Sequence, residues 1–217
     1  MNKTRIEALS DGVFSIVMTL LIIEVKVPHL QGLTISNEEL WHRLSDLWPL
    51  LRSYFISFLI LGMYWTNHHA FFHMFTKQVN RLLNVVNIFF LMFLCFIPFS
   101  AHLMGQYPAN EPAILIYGIN IILIGMTLFI MLRMVINNPE LVHEHVSKRL
   151  KTQAAIRLLL PPIFAVMGML FAHVNFSLSY FLFAFPIIFN IIPGTLDVLE
   201  WLFIKQPLKI LQKKSIA

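Results

Sequence analysis

Long apolar runs separated by short polar interruptions dominate this chain. Six apolar segments stand out, roughly Ile6 to Val27, Leu47 to Phe75, Asn84 to Met104, Ala113 to Val135, Ala154 to His173 and Phe176 to Ile204. Each is about 20 residues or longer, the length at which a helix crosses the hydrocarbon core of a bilayer. The pattern predicts an all-α polytopic membrane protein, with six transmembrane helices in a single domain (residues 1–204) and a basic tail (residues 205–217). Thr4 and Glu7 form a T-x-x-E capping box that starts the first helix at Thr4, and Pro28 ends it. Leu40, Leu44 and Leu47 fall at helical spacing within the polar loop from His29 to about Asp46, which predicts a short amphipathic piece. The stretch from Asn137 to Gln153 reads as a soluble loop. Pro98, Pro161, Pro162, Pro186 and Pro193 lie inside spans, where they kink helices.

Composition strengthens the membrane reading. Of 217 residues, 58% are hydrophobic and only 12% charged, too apolar for a soluble domain of this length. The formal charge of +5 does not indicate nucleic acid, because the basic residues are not clustered with aromatics on one face. They follow the spans instead. With the N-terminus inside, thirteen Lys and Arg fall in inner segments and only Lys26, Arg43 and Arg52 in outer ones. This bias places both termini in the cytoplasm. Lys3 and Arg5 ahead of Val13 to Ile23 resemble a signal peptide. Glu7 and Asp11 interrupt it, however, and no small-x-small cleavage site follows, so the segment is expected to stay as the first span. Cys95 is the single cysteine, which excludes an intrachain disulfide and a cysteine metal site.

Polar residues gather at one depth. Arg5, Ser10 and Asp11 lie in the cytoplasmic third of span one, Trp65, His68 and His69 in that of span two, and Asn84 and Asn87 at the start of span three. Buried polar groups need partners, so these eight are expected to form a network that stabilises the first helix. Elsewhere on that helix Gly12, Ile16, Leu20, Ile23 and Val27 make an apolar stripe, with Thr19 at its border.

Arg5-x-x-x-Leu9-Ser10-Asp11 resembles the R-x-x-x-F-S-D signature of the transmembrane protein 175 family, potassium-permeable leak channels of bacteria, archaea and endolysosomes. The resemblance continues through Gly12-Val13-Phe14-Ser15-Ile16, then Ser57-Phe58, Gly62, Tyr64-Trp65 and His68-His69, then Asn87-Ile88-Phe89-Phe90 and Pro98-Phe99-Ser100. Leu9 replaces the signature aromatic. The resemblance implies a six-helix subunit, a homotetramer around a pore lined by helix 1, and residence in a prokaryotic inner (plasma) membrane. It also implies a hydrophobic constriction at Ile16, with Leu20 and Ile23 at the next levels and Thr19 at the flank. Potassium is then the permeant ion, and no cofactor or metal is expected.

An apolar neck of this kind blocks ions by dewetting. Glu24, near the outer end of the first helix, is the carboxylate better placed to attract cations, with Lys26 beside it. A secondary transporter or proton-coupled carrier is the alternative, since Asp11 with a histidine could pass protons and spans five and six are proline-broken. A membrane enzyme is not expected. His69 and His73 share a helix face, but the further histidine boxes of desaturases are missing, and His143-Glu144-His145 does not match H-E-x-x-H.

Overall fold

The computed structural model describes residues 2–27 and 36–191. Pro28, the loop residues 29–35, Pro193 with the rest of residues 192–204, and the basic tail 205–217 lie outside the described residues. Within them the chain is helical: α1 (Lys3–Ile23), α2 (Asn37–Asp46), α3 (Trp48–Ala70), α4 (Arg81–Cys95), α5 (Ile97–Gln106), α6 (Glu111–Ile136), α7 (Lys148–Phe171) and α8 (Phe176–Ile191). A π-helical turn, Phe71–Phe75, prolongs α3. The helices α1, α6 and α7, and α4 together with α5, are long and apolar enough to cross a membrane. The α2–α3 pair, bent by 47°, makes a fifth candidate. The sixth expected span begins as the 16-residue α8, and its remainder falls among residues 192–204.

Several element ends differ from the sequence reading. The cap of α1 is Asn2, whose side-chain oxygen accepts from Thr4 N at 3.0 Å; Thr4 is already inside the helix. Asparagine caps as well as threonine does or better, and it stands two residues nearer the chain start. The helix finishes at Ile23, ahead of Pro28, with Val25 N donating to Ile22 O at 3.0 Å to tighten the last turn. The amphipathic piece is α2, capped by Ser36, whose Oγ accepts from Glu39 N at 3.1 Å. The stretch expected to be a soluble loop is shorter than drawn. Ser147 caps α7 by accepting from Leu150 N at 3.2 Å, so Lys148 to Gln153 are helical. The charges of that first turn masked it as loop. Before it, Leu141 is buried, and the loop is stitched to the π turn by Lys77 N to Leu141 O (2.7 Å) and His143 N to Phe75 O (3.0 Å).

The break between α4 and α5 has an identifiable cause. Pro98, in the first turn of α5, has no N–H to give and its ring crowds the preceding turn. In an unbroken helix Ile97 N would bond to Phe93 O. Asn120 of α6 stands between those two atoms. In the amide orientation that satisfies both its ends, its nitrogen donates to Phe93 O at 3.0 Å and its oxygen accepts from Ile97 N at 3.3 Å. A buried side chain inserted in the backbone ladder thus closes what the kink opens.

Helix α6 is the hub of the protomer. It packs on α4, α5, α7 and the π turn, and 56% of its apolar window is buried, against 28% for α1. Small residues set its distance from α7. A Cβ added to Gly125 would fall 2.4 Å from Pro162 Cγ, and one added to Gly118 would fall 2.5 Å from Met169 Cγ. The proline ring cannot swing aside as a flexible side chain would. Gly125→Ala is therefore expected to lower stability by about 1–3 kcal/mol through overpacking. Thermal unfolding in detergent checks it, with Gly12→Ala as the comparison, since a Cβ at Gly12 meets nothing within 4 Å.

Candidate functional site

Helix α1 packs against α3, α4 and α5. It buries Ile6, Ser10, Phe14, Val17 and Leu21, spaced at four, four, three and four residues along one face. Ser10 is the polar member of that face and is fully buried. Its hydroxyl donates to Ile6 O at 2.9 Å, so its oxygen is left to accept. Asn87 Nδ2 of α4 donates to that oxygen at 3.2 Å. The asparagine's orientation is thereby set, and its Oδ1 faces His68 Nε2 of α3 at 2.9 Å. An amide oxygen only accepts, so His68 carries its proton on Nε2. One directed chain, His68 to Asn87 to Ser10 to Ile6 O, therefore ties three helices at one level, with His68 and Asn87 almost wholly buried.

Aromatic rings enclose the chain. Phe90 stacks on His68 with centroids 5.1 Å apart and planes 7° off parallel. Phe72 lies 4.8 Å away and tilted, and Phe14 meets the imidazole edge-on at 5.9 Å. These phenylalanines were not assigned a role from sequence. Their spacing was the available signal: Phe14 follows Ser10 by four residues, Phe72 follows His68 by four and Phe90 follows Asn87 by three, which places each on its partner's helix face.

The remaining residues of the expected network stand elsewhere. Asp11 is on the exposed side of α1, where its Oδ1 accepts from Trp65 Nε1 at 2.9 Å. Trp65 stacks on His69, and His69 on His73 with planes 3° apart, so the three rings form a ladder on the exposed face of α3. His69 thus belongs with the Asp11–Trp65 pair rather than with His68. Arg5 is exposed and Asn84 half-buried, and neither side chain hydrogen-bonds to the Ser10–Asn87–His68 chain. The start of α1 is held instead by Lys3, whose Nζ donates to Thr76 O at 2.9 Å, just past the π turn.

The stripe residues all face away from the protomer. Ile16 is 60% exposed, Leu20 43%, Ile23 64% and Val27 81%, and Thr19 beside them is exposed too. The Thr19 hydroxyl is turned onto its own helix, donating to Ile16 O at 2.8 Å and Ser15 O at 3.0 Å. At the other end of α1, Glu24 Oε2 lies 3.6 Å from His102 Nδ1 of α5.

Residues 5–98 match the profile of the family described as "Endosomal/lysosomal potassium channel TMEM175". Over those residues the chain is similar to the TMEM175 family. That stretch carries α1, α3, α4 and every residue of the directed chain. A protein of Streptomyces collinus named as a potassium channel is 39% identical over 114 residues, 52% of this chain and 53% of that protein. One of Chryseobacterium with the same description is 33% identical over 123 residues, 57% of this chain and 59% of the other. The chain thus spans about half the length of these curated relatives. The zebrafish endosomal/lysosomal proton channel TMEM175 is 25% identical over 207 residues, which cover 93% of this chain and 38% of that one. The crystal structure of a lysosomal potassium-selective channel TMEM175 homolog from Chamaesiphon minutus shares the fold. It superposes with a TM-score of 0.74 at 24% identity, covering 87% of this chain and 95% of that one.

Asn87→Leu should strand the His68 Nε2–H in an apolar setting, at about 1–3 kcal/mol, while Ser10 loses an accepted bond and keeps its own to Ile6 O. Trp65→Phe removes only a hydrogen bond at an exposed edge and should cost clearly less. Chemical or thermal unfolding of the two purified variants in one detergent checks that order.

Proposed function

We propose that this chain is one subunit of a potassium-permeable cation channel of leak type, in which four copies of α1 surround a central pore. Each subunit contributes six transmembrane helices, with α8 belonging to the sixth. Both termini face the cytoplasm of a prokaryotic cell whose inner membrane holds the channel. Monovalent cations permeate it, and it needs no cofactor.

The observation that carries this reading is the uncovered apolar face of α1. Ser10 and its partners fix the rotation of the helix, and that rotation turns Ile16, Leu20 and Ile23 outward together. Among the described residues these side chains stay largely exposed. Gly12 belongs to the same face, and no neighbour in the protomer requires its lack of a side chain. A small residue at the head of an uncovered stripe suits close approach by other copies of α1. The relatives' descriptions as potassium channels support the same conclusion.

Ile16 is then the constriction. A ring of branched aliphatic side chains excludes water where the pore is narrow, and a modest widening re-wets it. Leu20 and Ile23 continue the apolar lining, with Thr19 flanking it. Glu24 sits just beyond α1 at the outer mouth, half-exposed and close to His102, where a carboxylate raises the local cation concentration.

Planar-bilayer recording with potassium on one side and sodium on the other tests the reading. Ile16→Asn should raise the leak and reduce discrimination between the two ions. Asp11→Ala should leave the conduction of assembled channels alone and lower the yield of assembled protein, read by size-exclusion chromatography. Unchanged currents in Ile16→Asn, from protein with a normal elution volume, would remove α1 from the pore.

A further inference from the structure

At the basic end of the bundle a cavity of about 130 Å³ opens between the C-terminal part of α3 with its π turn, the end of α6 and the start of α7. Its walls are mainly apolar, with Phe71, Phe75, Leu132 and Ala154 among them, and Asn67, Gln153 and Arg157 supply polar groups. We propose that this cavity binds the phosphate group of an anionic phospholipid, with Arg157 as the residue that recognises it.

Arg157 carries the argument. It stands nine residues beyond Lys148, the first residue of α7, about 14 Å along the helix axis. Its Nε is buried and has no hydrogen-bond partner among the described residues. Among the described residues, no Asp or Glu lines the cavity. A guanidinium N–H held away from water without a partner is costly, and such residues pair with an anion or mark a ligand path. Arg is also the side chain whose fork of N–H donors fits phosphate oxygens in pairs.

Size and surroundings favour a lipid over a free ion. With about 30 Å³ for a water in the liquid, the cavity holds a group of a few heavy atoms, which is the scale of a phosphodiester and not of a whole lipid. The apolar walls suit the glycerol and the first methylenes, and the acyl chains can run along the outside of the bundle. On the same helix, Lys148 is exposed in the first turn of α7. Basic clusters beside a pocket between transmembrane helices attract anionic headgroups. The neighbouring Asn67 is held in place, since its Nδ2 donates to Asn190 Oδ1 of α8 at 2.9 Å, so the wall is preformed.

The test uses the full chain, delipidated in detergent, with phosphatidylglycerol, phosphatidylcholine and inorganic phosphate added separately. The readouts are Tm and the lipid retained on the protein by native mass spectrometry. Phosphatidylglycerol should raise Tm, whereas phosphatidylcholine and inorganic phosphate at equal concentration should not. Arg157→Gln should weaken retention about tenfold, the effect of losing one charge-assisted pair, and Arg133→Gln at the same end should leave it unchanged. Ala154→Phe fills the cavity while keeping the charge, so it separates a lost site from a misfolded variant and should also abolish retention. Equal retention by Arg157→Gln and wild type, a Tm rise reproduced by inorganic phosphate, or no response of the wild type to phosphatidylglycerol would each overturn the proposal. None of these readouts involves conduction, so failure here is distinct from failure of the channel reading.

Discussion

Inside hydrocarbon no water is at hand to take up a stray donor or acceptor, and each one left over costs several kcal/mol. That constraint shapes this protein more than any propensity does. Asn87 and Asn120 are buried amides on neighbouring helices, and each is placed where it resolves a specific deficit. Asn120 stands in for the backbone bond that the α4–α5 kink removes. Asn87 joins α4 to both α1 and α3. Because α1 has no other buried polar group on its core face, its rotation about its own axis rests largely on Ser10. Which of its side chains face outward follows from that contact together with the packing of Ile6, Phe14, Val17 and Leu21.

The directed chain and its aromatic enclosure act as a unit. The three phenylalanines keep His68 from water, which makes its bond to Asn87 matter more, and the bond in turn holds the imidazole flat against Phe90. The Asp11–Trp65 pair, a turn away on the exposed side, is of another kind. It is accessible, on the outer surface of the described helices. Two polar groups adjacent in sequence, Ser10 and Asp11, therefore serve different layers, one inside the protomer and one at its edge.

Much of the architecture was legible beforehand because bilayer thickness imposes one length on every span. The apolar runs give α1, α3, the α4–α5 unit, α6 and α7 nearly as they stand, and the spacing of Leu40, Leu44 and Leu47 gives α2. What stayed hidden was local. Asn2 capping α1 could not be preferred over Thr4 without knowing the backbone, and the charged first turn of α7 imitates a loop. In the site, depth alone grouped eight polar residues. Depth cannot say which side of a helix each one takes, and so it could not separate Ser10, Asn87 and His68 from Asp11, Trp65 and His69. Asn120 was missed because a lone amide in an apolar helix carries no sign of what it bonds to until the kink beside it is seen.

The polarity of the chain through Asn87 has a consequence for charge movement. A carboxamide gives hydrogen only through nitrogen and receives only through oxygen, and it does not release the hydrogen it holds. Hopping conduction along His68, Asn87 and Ser10 would stop at the amide unless that group turned over, and turning would break both of its bonds at once. The cluster is thus an electrical insulator built from hydrogen bonds: it pins a helix without offering hydronium a short circuit past the apolar stripe.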